Sequence, residues 1–177
     1  MPQSFNLDRS VRKPVKKIVG TRIRVTRTVM EPFDLFKNNS MLLSPLFNVE
    51  LLFESFRPVV AEIDEVKFTL VISNLVENAI KYNVSDGWVH VSLNADYQYF
   101  YVRVEDSGIG IPKESQDLVF DRFYRVDKAR SRQTGGTGLG LAIVQNIVLL
   151  HHGTIKLHSE EGTGTTFTVR IPLNYVG

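Results

Sequence analysis

A chain of 177 residues that is 43% hydrophobic, 23% charged and 10% aromatic, with a formal net charge of +2, has room for one globular core or two small ones. A folded chain of this size buries roughly 70% of its unfolded surface. The absence of cysteine excludes disulfides, a thiolate zinc centre and a cysteine nucleophile. No apolar run approaches the roughly 18–20 residues of a bilayer span, and no leader-like start is visible, so the chain as given is expected to be neither inserted nor exported.

Charge is unevenly spread. Residues 1–30 carry eight Lys/Arg against one acid, Asp8, a local +7 that leaves −5 for the remainder. Such an arm can bind nucleic acid or an anionic surface. No aromatic residues interleave these charges as a base-stacking surface requires, so a solvated face is the plainer reading. Neither a nucleic-acid partner nor a membrane contact is expected.

Two stretches in the first 60 residues look alike. Phe5-Asn6-Leu7-Asp8 and Phe47-Asn48-Val49-Glu50 each set an Asn before an amphipathic run, predicting two helix starts, the second run covering Leu51 to Phe56. Pro14 interrupts the first run; Ile23, Val25 and Val29 alternate as a strand does, and residues 37–40 read as a loop. Residues 64–83 predict a helix with Phe68, Ile72, Leu75, Val76 and Ala79 on one side and Asn74, Asn78 and Lys81 on the other. Val89, Val91 and Leu93, then Phe100, Val102 and Val104, predict two strands joined near Ala95-Asp96. The stretch 111–137 has no sustained period and ends in Gly135-Gly136-Thr137-Gly138; loops this long are usually functional lids or disordered. Leu139 to Leu150 predicts an apolar helix. Ile155 and Leu157 mark a strand, Glu161 to Gly164 a turn, and Phe167, Val169 and Ile171 a closing strand. This order predicts an α+β sandwich, with helices on one face of a mixed, largely antiparallel sheet.

Three constellations carry chemistry. Asn74, Asn78 and Lys81 present amide oxygens and a cation on one helix face. Mg2+ takes hard oxygen ligands and shares phosphate oxygens, and Lys supplies a point charge for phosphate; a merely wet helix face has the same composition. Glu105-Asp106-Ser107-Gly108-Ile109-Gly110-Ile111-Pro112 sets a carboxylate at a strand end before alternating glycines. That lets a planar ligand approach the backbone, with Asp106 accepting from an exocyclic amino group such as adenine's; a tight turn with an Asp cap is the bland alternative. Gly135 to Leu141 opens a helix and can expose N–H groups to phosphate. It fits neither a Walker nor a dinucleotide fingerprint, and alone it is a glycine hinge. In combination, Asp106 would take the base, the glycines the phosphates, and Asn78 with Lys81 the metal and charge. Arg122, Arg125, Lys128, Arg130 and Arg132 would add a cationic lid.

Residues 64–173 resemble the catalytic ATP-binding domain of bacterial sensor histidine kinases, in the superfamily shared with gyrase-type ATPases. Asn74 to Tyr82 resembles its N box, Asp106 to Pro112 the first glycine box, Phe120 to Arg125 the F box, Gly135 to Leu141 the second glycine box, and Gly164 to Phe167 its last shared stretch. The resemblance implies a Bergerat-type fold with about three helices on the sheet and a long ATP lid over residues 59–177. Residues 1–58 remain a basic segment of open assignment, with the domain's first helix and edge strand as one placement. It implies Mg2+ and ATP as ligands: Asn78 on the metal, Asn74 near the phosphates, Lys81 and Tyr82 on phosphate and sugar or base, and Asp106 on the adenine amino group. Gly108, Gly110 and Ile111 would line the base pocket, Tyr124 and Arg125 would reach the nucleotide, and Gly136, Thr137, Gly138, Leu139, Gly140 and Leu141 would wrap the triphosphate. Thr166 would lie near the base, and Phe120 and Phe123 would anchor the lid.

Hydrolysing members of the superfamily carry a Glu where Asn74 stands, and an amide is no general base at neutral pH. The resemblance therefore implies transfer of the γ-phosphoryl by positioning and electrostatics, to a histidine on a dimerisation domain outside this chain, and onward to a response regulator. A nucleotide-sensing module and a Ser/Thr-directed anti-sigma kinase are the alternatives. His90, His151, His152 and His158 are read as structural, with His151 where the family usually has a His and His152 replacing a common Gly. A cytoplasmic location follows from the resemblance, as the inner part of a membrane-anchored receptor or free of one.

Overall fold

The computed structural model describes residues 26–30, 48–55, 58–126 and 137–175. Their order is β1 (Thr26–Met30), β2 (Glu50–Ser55), β3 (Val59–Ile63), α1 (Glu65–Lys81), β4 (Trp88–Ala95), β5 (Tyr99–Asp106), α2 (Gly140–Leu150), β6 (Thr154–Glu160) and β7 (Gly164–Pro172). Among the described residues a 3-10 turn stands at Lys113–Ser115. Five strands form one sheet in the spatial order β2-β4-β5-β7-β6, and β1 pairs antiparallel with β3. Only β2 and β4 run parallel within the sheet, with α1 on the crossover between them. The fold is α+β, a mixed and largely antiparallel sheet with two helices packed on one face among the described residues.

Alternation dictates which face is covered. Val89, Val91 and Leu93 of β4, Phe100, Val102 and Val104 of β5, and Phe167, Val169 and Ile171 of β7 are all buried. Helix α1 meets them with Phe68, Val71, Ile72, Leu75, Val76, Ala79 and Ile80, the predicted stripe with two more members. Phe68 stands edge-on to Phe100, ring centroids 5.2 Å apart.

The two helices are also tied at their ends. Asp64 caps α1 by accepting the Lys67 N–H at 3.2 Å, and its other carboxylate oxygen pairs with the Lys67 ammonium at 2.7 Å. Its own N–H donates to Nε2 of His151 at 3.0 Å, just past the end of α2. Nδ1 of His151 lies 2.8 Å from the Ile147 carbonyl and must donate to it, which fixes the neutral tautomer. Burial at 2% exposure holds the imidazole pKa below its ordinary value. His90 and His158 lie in β4 and β6. His152 has φ 56°, a left-handed conformation that glycine adopts most readily, and its ring centroid stands 5.1 Å from that of Tyr175.

One expectation fails. Leu51 to Phe56 was to continue a helix begun at Asn48, but Glu50–Ser55 is the parallel edge strand of the sheet. The run is too short to sustain helical turns, and it alternates, with Leu51 and Phe53 against the core and Leu52 and Glu54 outside. Asn48 takes φ 51° and bonds the Asp86 carboxylate across the turn instead of capping a helix. Strand β3 was not anticipated; it pairs with β1, which carries Val29 of the predicted alternation. The predicted helix start at Asn6, the positions Ile23 and Val25, and the loop at 37–40 lie outside the described residues.

Because the folded pKa of His151 is depressed, its contribution to stability is complete above about pH 6.5 and is lost as pH falls below that value. Substituting Gln retains one acceptor and one donor without titrating. Thermal melts from pH 7.5 to 5 should show the advantage of the parent over His151→Gln shrinking as pH falls; a pH-independent difference would contradict the buried neutral imidazole.

Candidate functional site

Stretches distant in sequence meet along the C-terminal half of α1. The loop after β5 lies directly on that end: the Ile109 N–H donates to the Tyr82 carbonyl at 3.0 Å. A Cβ on Gly108 would strike the same carbonyl, so only glycine permits this approach. Gly110 takes φ 68° with its backbone against that of Glu160, and the Gly162 N–H donates to the Ile109 carbonyl at 2.8 Å. The loop is thus pressed between α1 and the β6–β7 hairpin.

Asp106, at the end of β5, is 9% exposed. Its carboxylate accepts the Gly108 N–H at 2.9 Å and the Thr165 N–H from β7. Burial outweighs these two donors, and with the Glu105 charge nearby it pushes the pKa up to about 6. A carboxylate so desolvated retains acceptor capacity for a donor brought by a ligand.

At the other end of the site, the start of α2 meets the middle of α1. A Cβ on Gly140 would fall 2.7 Å from Oδ1 of Asn74, whose Nδ2 donates to the Leu70 carbonyl at 2.8 Å. Leu139, at the N-cap of α2, offers no side-chain cap, and the first turn of the helix holds no acid. The first N–H groups of a helix have no partner within it and lie at the positive end of its dipole, a setting that favours anions. Leu139 and Leu141 flank this glycine, with Leu141 packed against the core. Asn78 lies one turn beyond Asn74, half-buried. Lys81 stands 3.9 Å from the Glu77 carboxylate, a loose pair worth little. Among the described residues no cluster of three or more His, Asp or Glu could hold a metal, so a cation here would need amide oxygen and ligand oxygen together.

The two ends of the aperiodic stretch are stitched together. The Phe123 N–H donates to the Gly138 carbonyl at 2.9 Å, with φ 67° at Phe123 and 70° at Gly138. Tyr124 donates its hydroxyl to Ser115 Oγ at 2.9 Å, and Arg125 beside it is half-buried. Phe120 packs edge-on to Phe167 at 6.2 Å, whereas Phe123 is 71% exposed. Thr137 is exposed, and Gly136 lies outside the described residues.

Strand register separates two threonines. Thr166 pairs with Glu105 and His158 on the sheet face away from the helices. Thr165 pairs with Asp106, is 7% exposed, and lies with its Oγ1 2.9 Å from Ser159 Oγ. The inward phase of Phe167, Val169 and Ile171 already implied this, since an even step back from 167 reaches 165. Ser159 and Gln116 also bond the Gly108–Pro112 loop; nothing in the sequence pattern marks either.

Residues 63–175 match the family described as histidine kinase-, DNA gyrase B-, and HSP90-like ATPases. The chain is 50% identical over 118 residues to the sensor histidine kinase WalK of Bacillus subtilis (strain 168), an overlap of 66% of this chain and 19% of that protein. It thus spans about a fifth of that relative's length. The catalytic domain of the histidine kinase ThkA superposes with a TM-score of 0.68 at 28% identity, covering 84% of this chain and 96% of that one. The mycobacterial sensor histidine kinase MprB superposes at 0.70 with 24% identity over 85% and 99% of the two chains, a likeness of fold.

Gly110→Ala should cost about 2 kcal/mol or more, from left-handed strain added to a backbone clash. Gly162, at φ 81° with nothing within 4 Å of an added Cβ, should lose only about 1 kcal/mol on substitution by Ala. Urea unfolding of the two variants checks the difference, and equal losses would deny the tight loop contact.

Proposed function

The chain belongs to the family of histidine kinase-, DNA gyrase B-, and HSP90-like ATPases, as a sensor histidine kinase catalytic domain, and from that premise we propose a mechanism for this site. The domain binds ATP with Mg2+ and donates the γ-phosphoryl group to a histidine on a separate dimerisation domain, from which a response regulator takes it. The observation that carries the reading is the buried Asp106 carboxylate, held by Gly108 and Thr165 N–H groups at the mouth of a glycine-walled loop.

In this reading the ionised Asp106 accepts from the adenine amino group. The base lies along Gly108, Gly110 and Ile111, and Thr165 takes the part that Thr166 was expected to play. The phosphates run to the start of α2, where Thr137, Gly138, Leu139, Gly140 and Leu141 offer backbone N–H groups. Lys81, Tyr82, Tyr124 and Arg125 add charge and hydrogen bonds. Asn78 is the residue suited to Mg2+, a neutral oxygen donor beside a polyanion; the metal would supply neutralisation of phosphate charge. Asn74 cannot take a proton from water at neutral pH, so ATP is held without an activated water and awaits an acceptor. Catalysis is then positioning and electrostatics.

The domain so proposed has a Bergerat-type fold, with 111–137 as the ATP lid. It begins before residue 59, because β2 completes the sheet edge. Its place in the longer protein is the cytoplasmic side, and no described helix is long and apolar enough to cross a membrane.

Offered radiolabelled Mg-ATP and a histidine-bearing helix pair, the domain should label the histidine; saturable binding without transfer would instead favour a nucleotide-sensing module. Asn78→Ala should weaken ATP binding by about tenfold with Mg2+ present and far less without it, as titration calorimetry can resolve. The folded pKa of Asp106 is raised to about 6, so ATP affinity should fall as pH drops through that value and the acceptor is lost. Asp106→Asn should bind ATP about tenfold more weakly at neutral pH and lack that step. Parent-like affinity in this variant would refute the base contact.

A further inference from the structure

Gln116 follows the 3-10 turn at Lys113–Ser115, within the aperiodic stretch, and is half-buried. Its Nε2 donates to two main-chain carbonyls at once, Ile111 at 2.9 Å and Ser159 at 3.0 Å. Those carbonyls belong to the two walls that enclose the Asp106 carboxylate, the loop after β5 and the β6–β7 hairpin. Two acceptors facing one amide fix its orientation, because only the NH2 end can satisfy both.

The bonds beyond Gln116 lead inward. The Ile111 N–H donates to Ser159 Oγ at 2.8 Å, and that hydroxyl lies 2.9 Å from the Gly164 carbonyl and 2.9 Å from Thr165 Oγ1. Thr165 and Gly108 in turn give their N–H groups to Asp106. Hydrogen bonds through the residues Ile111, Ser159 and Thr165 therefore link the Gln116 amide to the Asp106 carboxylate. The turn is held from its other side as well, since Ser115 is buried and receives the Tyr124 hydroxyl at 2.9 Å. Gln116 is thus presented by a fixed turn, and its two donors set the spacing between the walls.

We infer that Gln116 is a positioning residue for the base end of the site: its amide clamps the Ile111 and Ser159 carbonyls and so sets the geometry with which Asp106 distinguishes an amino-bearing purine. The inference rests on the nucleotide reading above. The bonds of Gln116 run to Ile111 and Ser159 at the base end, so its loss should change selectivity at the base and leave the rest of the binding energy in place.

The test compares ATP with inosine triphosphate, which carries a carbonyl where adenine has its amino group. Gln116→Met keeps the length of the side chain and removes both donors; Gln116→Glu keeps its shape and turns an acceptor on two carbonyls. Ser159→Ala breaks the same chain one link further in. Affinities are measured by competition at 25 °C, with thermal melts to establish that each variant is folded there. The expected result is that ATP affinity falls about tenfold in each folded variant while inosine triphosphate affinity changes less than about twofold, so the preference for ATP collapses. A merely structural role would weaken both nucleotides together or neither, and either result overturns the inference. If the parent itself shows no preference for ATP, the Asp106 reading fails instead, and the two failures are distinguishable.

Discussion

Burying the Asp106 carboxylate is the constraint around which the site is organised. A pKa near 6 against an ordinary 3.8 means that the ionised group costs the folded domain on the order of 3 kcal/mol at neutral pH. Protonation relieves that cost, so this residue favours the folded state most at acid pH, opposite in sign to His151. Two main-chain N–H groups partly offset the desolvation. The remaining deficit is what a ligand donor can recover, which turns a local instability into recognition energy.

Keeping that carboxylate dry and correctly aimed requires the neighbouring backbone to come unusually close. Gly108 admits the Tyr82 carbonyl, Gly110 admits Glu160, and Gly164, at φ 139°, admits the backbone of Asp106 itself. These approaches need α1 and the β6–β7 hairpin held firmly against β5. The core supplies that through Phe68 on Phe100 and the paired strands β5 and β7, and the helix ends are joined by Asp64 and His151. The same pairing of antiparallel helices brings Gly140 to Asn74. One arrangement of helices and sheet thus holds both ends of the proposed site.

Much of this was legible in the sequence because periodicity and glycine spacing are local signals. The stripe on α1, the two hairpins and the bounds of α2 follow from alternation and 3.6-residue repeats, and the boxes of glycine and asparagine mark the site on either side. Failures occurred where a signal was short or its meaning lay elsewhere. Leu51 to Ser55 offers too few residues to separate strand from helix, and its parallel partner Trp88–Leu93 lies more than thirty residues away. Asn48 has the chemistry of a cap but uses it across a turn on Asp86. The inward place of Thr165 was readable from the phase of β7, which sets Thr166 on the opposite face of the sheet. Gln116 could not be found from one dimension, because one of its acceptors lies in a loop 5 residues away and the other in strand β6, 43 residues away.

The central claim is that separated stretches converge on one pocket for Mg-ATP, with Asp106 at the base. Amide NMR shifts on titration with Mg-ATP test it most directly. The account predicts saturable shifts shared by Gly108, Gly110, Ile111, Thr165, Gly138 and Gly140, with the hairpin at Asp96 to Gln98 and the edge strand β2 unmoved. Absence of shifts, or shifts confined to the outer sheet face around Thr166, His158 and Lys156, would contradict it.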